Sequence, residues 1–130
     1  WNNSRLIQIA LTRGAATVHN KNWGVMLTWT YDQPPYLETS NQLYEDLVLA
    51  YASGAKYAAI YDSSAKYHGT TLTEDHYNAL KEFWKYTKDN PNKHGSLKAD
   101  KALILPKDYG FGFRSPIDSV WGIKPDNNTQ

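Results

Sequence analysis

The chain has 130 residues, with 14 Lys and Arg against 13 Asp and Glu, a formal net charge of +1, and no cysteine. The length suits one domain with a true core. The absence of cysteine excludes disulfides, thiolate zinc sites and cysteine nucleophiles. Scattered bases give no stripe for nucleic acid, and no apolar run approaches the roughly 18 residues that span a bilayer.

The first predicted element is a helix from a cap at Asn3 or Ser4 to about His19, with Ile7, Leu11, Ala15 and Val18 on one face at helical spacing. Gly14, Ala15 and Ala16 keep part of that surface small, which suits close packing on a sheet. Trp23 to Tyr31 follows as WGVMLTWTY, apolar on both alternating faces, and reads as a strand buried on both sides. Pro34 and Pro35 stop it, since proline cannot donate to a central ladder. Thr39, Ser40 and Asn41 start a second helix with Leu43, Leu47 and Tyr51 on its apolar side, Tyr44 and Val48 beside them, and Gly54 closing it.

Lys56 to Asp62 reads as a second short buried strand. A third helix starts at Thr73, with Glu74 and Asp75 favourable to the dipole in its first turn and an apolar face of Tyr77, Leu80 and Trp84 bordered by Phe83. The run Asn90 to Ser96 has the composition of a linker. Lys101 to Leu105 reads as a third strand ending at Pro106. Alternating helices and strands with short connections imply parallel strands joined by right-handed crossovers. The chain therefore reads as α/β with an incomplete sheet. It starts with Trp1 rather than Met and goes almost at once into a helix, so a piece of a larger protein is expected.

Ligands of parallel α/β sheets bind at the carboxyl ends of the strands. That rule selects Trp29, Tyr31, Asp32, Tyr36 and Glu38 after the first strand, Tyr61 to Ser64 after the second, and Lys107 to Arg114 after the third. Ten Tyr and five Trp either fill the core or offer flat faces that stack on sugar rings. Asp32, Glu38 and Asp62 are the carboxylates at the strand ends. Glycoside hydrolysis uses such a pair about 5–9.5 Å apart, although Asp32 can equally close an Asx-turn and Glu38 can sit on the surface. The segment from Tyr109 to Phe113 lacks the third glycine of a dinucleotide fingerprint. It reads as a structural or docking turn. His19, His68, His76 and His94 have no metal-ligand spacing, and His76, on a polar helix turn, reads as solvated. Ser63 and Ser64 lack a nucleophile elbow. No metal or cofactor is expected.

The runs WGVMLTWTYDQPPYLET, GAKYAAIYDSS and ADKALILPKDYGFGFR, with SVWG after them, resemble the end of a glycoside-hydrolase-type (β/α)₈ barrel, as in β-galactosidase-like or uncharacterised prokaryotic sugar hydrolases. There a flavodoxin-like domain follows the barrel. The resemblance implies that residues 1–91 are the last strand–helix units of a barrel, 92–98 a linker, and 99–130 the start of a second α/β domain. It makes 23–31 barrel strand seven and 56–62 strand eight. It gives Glu38 or Asp32 the nucleophile's position, with the acid/base upstream on strand four. Trp29, Tyr31, Tyr36 and Asp62 would contact a carbohydrate substrate, and the partner would be the rest of the same polypeptide, with no nucleic acid and no membrane. Two other readings stand beside it: a barrel-derived glycan-binding or structural module without catalysis, and a flavodoxin-like domain that binds a small ligand.

Overall fold

The computed structural model of the chain describes residues 5–28, 38–61, 72–102 and 104. Its contacts divide into two units, Trp1–Lys98 and Ala99–Gln130, and the helices and strands described here belong to the first. They run in the order α1 (Arg5–Val18), β1 (Gly24–Thr28), α2 (Ser40–Ala52), β2 (Tyr57–Tyr61) and α3 (Glu74–Asp89), followed by a single 3₁₀ turn at Pro91–Lys93. The fold is mixed α/β, with three helices and two parallel strands among the described residues.

The strands pair in parallel from Gly24 opposite Tyr57 to Thr28 opposite Tyr61. Residues directly opposite one another share a face, so the register sorts the side chains. Val25, Leu27 and Ile60 meet Leu43 and Leu47 of α2, together with Leu72 and, from α3, Leu80 and Phe83. This is the core. On the other face Met26 is 67 % exposed and Tyr57 59 % exposed. Among the described residues, α2 and α3 therefore cover one side of the ladder, and no helix covers the side that bears Met26 and Tyr57. At the start of the ladder the strands approach so closely that a Cβ on Gly24 would lie 2.5 Å from the Tyr57 carbonyl oxygen. Only glycine fits there without moving β2.

Local chemistry sets the helix ends. Thr39 caps α2, its hydroxyl accepting from the Gln42 N–H at 3.2 Å. Thr73 caps α3, with Glu74 and Asp75 in the first turn and Lys88 in the last, each favourable to the helix dipole. After α2 the chain turns through Gly54 at φ 92°, a left-handed conformation suited to glycine. The run expected to be a linker docks against this end. The Gly95 N–H donates to the Tyr51 carbonyl at 3.0 Å and the Leu97 N–H to the Ala52 carbonyl at 2.9 Å. Tyr51 collects rings around it, with Phe83 at 6.2 Å, Tyr86 at 6.1 Å and His94 at 5.0 Å.

Three expectations need correction. The face expected to be buried on α1 is the outward one: Ile7, Leu11 and Val18 are exposed, and Ile9 and Ala16 are buried instead. On α3 Tyr77 and Trp84 are exposed, and His76 and Ala79 take the inner positions. At 101–105 the described residues Lys101, Ala102 and Ile104 are not in a strand.

Candidate functional site

Helices that follow parallel strands begin at the strands' carboxyl ends, where α/β proteins bind ligands. The starts of all three helices meet there around Glu38. Arg5 is the first residue of α1, Glu38 immediately precedes the cap of α2, and His76 lies in the first turn of α3. Asp46 joins them from the second turn of α2, on the stripe that also buries Leu43, Leu47 and Ala50.

Glu38 is 4 % exposed and Asp46 is likewise buried. The guanidinium of Arg5 bridges them. Its Nη2 donates to Glu38 Oε1, and its Nε stands 2.5 Å from Asp46 Oδ2, off the line of a hydrogen bond. Gln42 Nε2 donates to Asp46 Oδ1 at 3.0 Å. Two oxygens, Glu38 Oε2 and Asp46 Oδ2, are buried without a hydrogen-bond donor.

The backbone of Glu38 is held from the other side. His76 Nε2 lies 2.7 Å from the Glu38 carbonyl oxygen. A carbonyl only accepts, so the proton sits on Nε2 and Nδ1 is left as the acceptor. Thr73 supplies both donors to Nδ1, its N–H at 3.4 Å and its hydroxyl at 2.6 Å. A histidine expected in solvent is thus a buried brace between the entries to α2 and α3.

Burial pushes the Glu38 carboxyl up to about 6, Arg5 works against that rise, and the neighbouring Asp46 adds to it. Such a group exchanges its proton near neutrality, the property of a general acid or base. Its burial leaves it almost no surface to offer a ligand.

Of the residues expected to form a site, Glu38 is described and sits at this junction. Asp32, Trp29, Tyr31, Tyr36 and Asp62 lie outside the described residues. Sequence reasoning missed Arg5, Asp46 and His76. The signal for Asp46 was available, since a carboxylate interrupts the apolar stripe of α2 at Leu43, Leu47 and Ala50.

Two small cavities flank the helices. One of about 160 Å³ lies along α1 and β1, with Arg5, Gln8, Thr12 and Asp46 among its walls. The other, about 290 Å³, opens at the opposite end near Lys21, Trp23, Gly54 and Lys56. Neither exceeds the lower end of the 300–1,000 Å³ usual for ligand pockets, roughly stated. Among the described residues no group of three or more His, Asp or Glu could hold a metal ion, and no helix is long and apolar enough to cross a membrane. Comparison with protein-family models, curated proteins and solved structures yields no match to this chain.

Proposed function

We propose that the chain is part of a carbohydrate-active glycoside hydrolase of (β/α)₈ type and contributes one side of its sugar-binding cleft. The observation that carries this reading is the one-sided layering of the sheet. A doubly wound sheet has helices on both faces, whereas a barrel keeps helices outside and closes its strands around an inner packing of side chains. Among the described residues, α2 and α3 cover Val25, Leu27 and Ile60, and no helix covers the face bearing Met26 and Tyr57. Further strands of the same polypeptide would cover that face.

In this reading β1 and β2 are strands seven and eight. The loop after β1 brings Trp29, Tyr31 and Tyr36 to the sugar, with Asp62 after β2. Asp32 or Glu38 attacks the anomeric carbon, while a general acid on another strand protonates the leaving oxygen. The test is turnover of aryl glycosides by the full polypeptide beside its Asp32→Asn and Glu38→Gln variants. Loss of turnover in one folded variant, by a factor of about 10³ or more, would name the nucleophile. Full activity in both would remove this loop from the chemistry.

The burial of Glu38 favours a second reading, a glycan-binding or structural module without catalysis. A nucleophile must reach its substrate, and Glu38 is enclosed by Arg5, Asp46 and the brace at His76. Binding of sugars without turnover in the full polypeptide would decide for this reading.

A further inference from the structure

We propose that the outward row of α3 seats a linear polymer of acidic sugars. The choice of a sugar as the partner rests on the carbohydrate reading above, whereas the row and its charge do not. Tyr77, Lys81, Trp84 and Lys88 recur at helical spacing and so share one face of α3. The buried side of the helix runs elsewhere, through His76, Ala79, Leu80 and Phe83. Tyr77 is 45 % exposed and Trp84 64 % exposed, so two large rings lie along the surface where burial would have stabilised the fold.

The charge on this face is unbalanced. Lys81 and Lys88 stand one turn before and one turn after Trp84, and Lys85 follows it directly. Among the described residues the carboxylates that form ion pairs do so with Arg5, and Lys81, Lys85 and Lys88 have no carboxylate partner. Lys88 Nζ lies 5.2 Å from the centre of the Trp84 ring, which holds a positive charge beside that ring. Of the acids on α3, Glu74 stands at the start of the row, and Asp75, Glu82 and Asp89 lie off it. The positive charge therefore gathers around Trp84.

A partner must offer flat rings and negative charge in one narrow line. From Tyr77 to Trp84 the helix rises about 10 Å, and an extended polymer along it meets a ring at each end with Lys81 between. A chain of uronic acids fits both demands. The C–H face of a sugar stacks on an aromatic side chain, and its carboxylate pairs with an ammonium group. A neutral glycan leaves the lysines unused, and an acidic peptide leaves the rings unused. Nucleic acid carries a denser line of charge and takes more cations than this row provides.

The test is binding of a galacturonate oligomer to the full polypeptide, followed by NMR of the Trp84 indole and by calorimetry. Its methyl ester, polyglutamate and a single-stranded DNA oligomer are the comparison ligands. The expected result is a saturable shift of the Trp84 signal by the acidic oligomer that weakens as salt is raised. Trp84→Ala should lower the affinity by about tenfold, and Lys81→Gln should flatten the salt dependence. Both replace exposed residues, so both variants should stay folded. Turnover of aryl glycosides is measured beside binding: loss of turnover with binding intact counts against the hydrolase reading and supports this one. Absence of binding, or unchanged affinity in a folded Trp84→Ala variant, would overturn the proposal. Equal affinity for any of the comparison ligands would do the same.

Discussion

Helices α1 and α2 are 14 and 13 residues long, and they are held to the fold by opposite means. The second lays Leu43 and Leu47 against Leu27 of β1 and is mainly apolar on its buried side, with Asp46 the carboxylate among Leu43, Leu47 and Ala50. The first turns Leu6, Ile7, Leu11 and Val18 outward and buries little beyond Ile9 and Ala16. Its attachments are polar. Arg5 ties its start to Glu38 and Asp46, and Arg13 Nη1 donates to the Leu97 carbonyl at 2.8 Å. An amphipathic pattern announces that a helix has an apolar side. It does not say whether the chain in hand supplies anything to cover it.

This contrast can be broken at several points. Leu43→Ala removes a fully buried side chain from the apolar helix and should cost about 3–4 kcal/mol in denaturant unfolding. A loss under 1 kcal/mol, roughly, would mean that the core is elsewhere. Arg5→Ala leaves two buried carboxyls without their cation. Buried pairs broken in this way lose about 3–5 kcal/mol, and the partial exposure of Arg5 lowers the expectation to about 2–3 kcal/mol. Hydrogen exchange should show α1 loosening while α2 stays protected.

The pH dependence distinguishes the helices next. Glu38 is raised from 4.5 to about 6 in the folded chain, so the native state holds the proton more tightly than the unfolded one. Its contribution is fully present below the unfolded value and is lost as pH rises through about 6. Unfolding free energy should therefore grow by up to about 2 kcal/mol from this group as pH falls from 7 towards 4.5. Glu38→Gln should remove that slope. At the small end, Val18→Ser, on a residue 80 % exposed, should change stability by less than about 0.5 kcal/mol. A loss above about 2 kcal/mol in the full polypeptide would show that something covers the outward face of α1.

Much of the secondary structure was legible because its signals are local. Thr39 and Thr73 stand where caps were expected or one residue from it, Gly54 takes the left-handed turn, and both strands fall within the apolar runs that announced them. Which way a helix faces is not local. On α1 the stripe through Ile7, Leu11 and Val18 lost to the line through Arg5, Ile9 and Ala16, because the carboxyls that Arg5 meets lie 33 and 41 positions along the chain. On α3, His76 displaced Tyr77 from the inner side by bonding to the Glu38 carbonyl. Hydropathy ranks histidine and arginine as surface residues, and only the placement of Glu38 and Asp46 makes them interior ones. For the site, the strand-end rule reached Glu38 but gave no sign of the groups that enclose it.

The central claim is that β1 and β2 belong to a larger parallel sheet whose other strands come from the same polypeptide. In a parallel ladder alternate residues bond to opposite neighbours. Amide hydrogen exchange along Gly24–Thr28 in the full polypeptide therefore tests the claim directly. Slow exchange at every successive amide of the strand is the predicted result, because both edges of β1 would then be paired. Slow exchange only at alternate residues, those directed towards β2, would contradict it and leave β1 an edge strand.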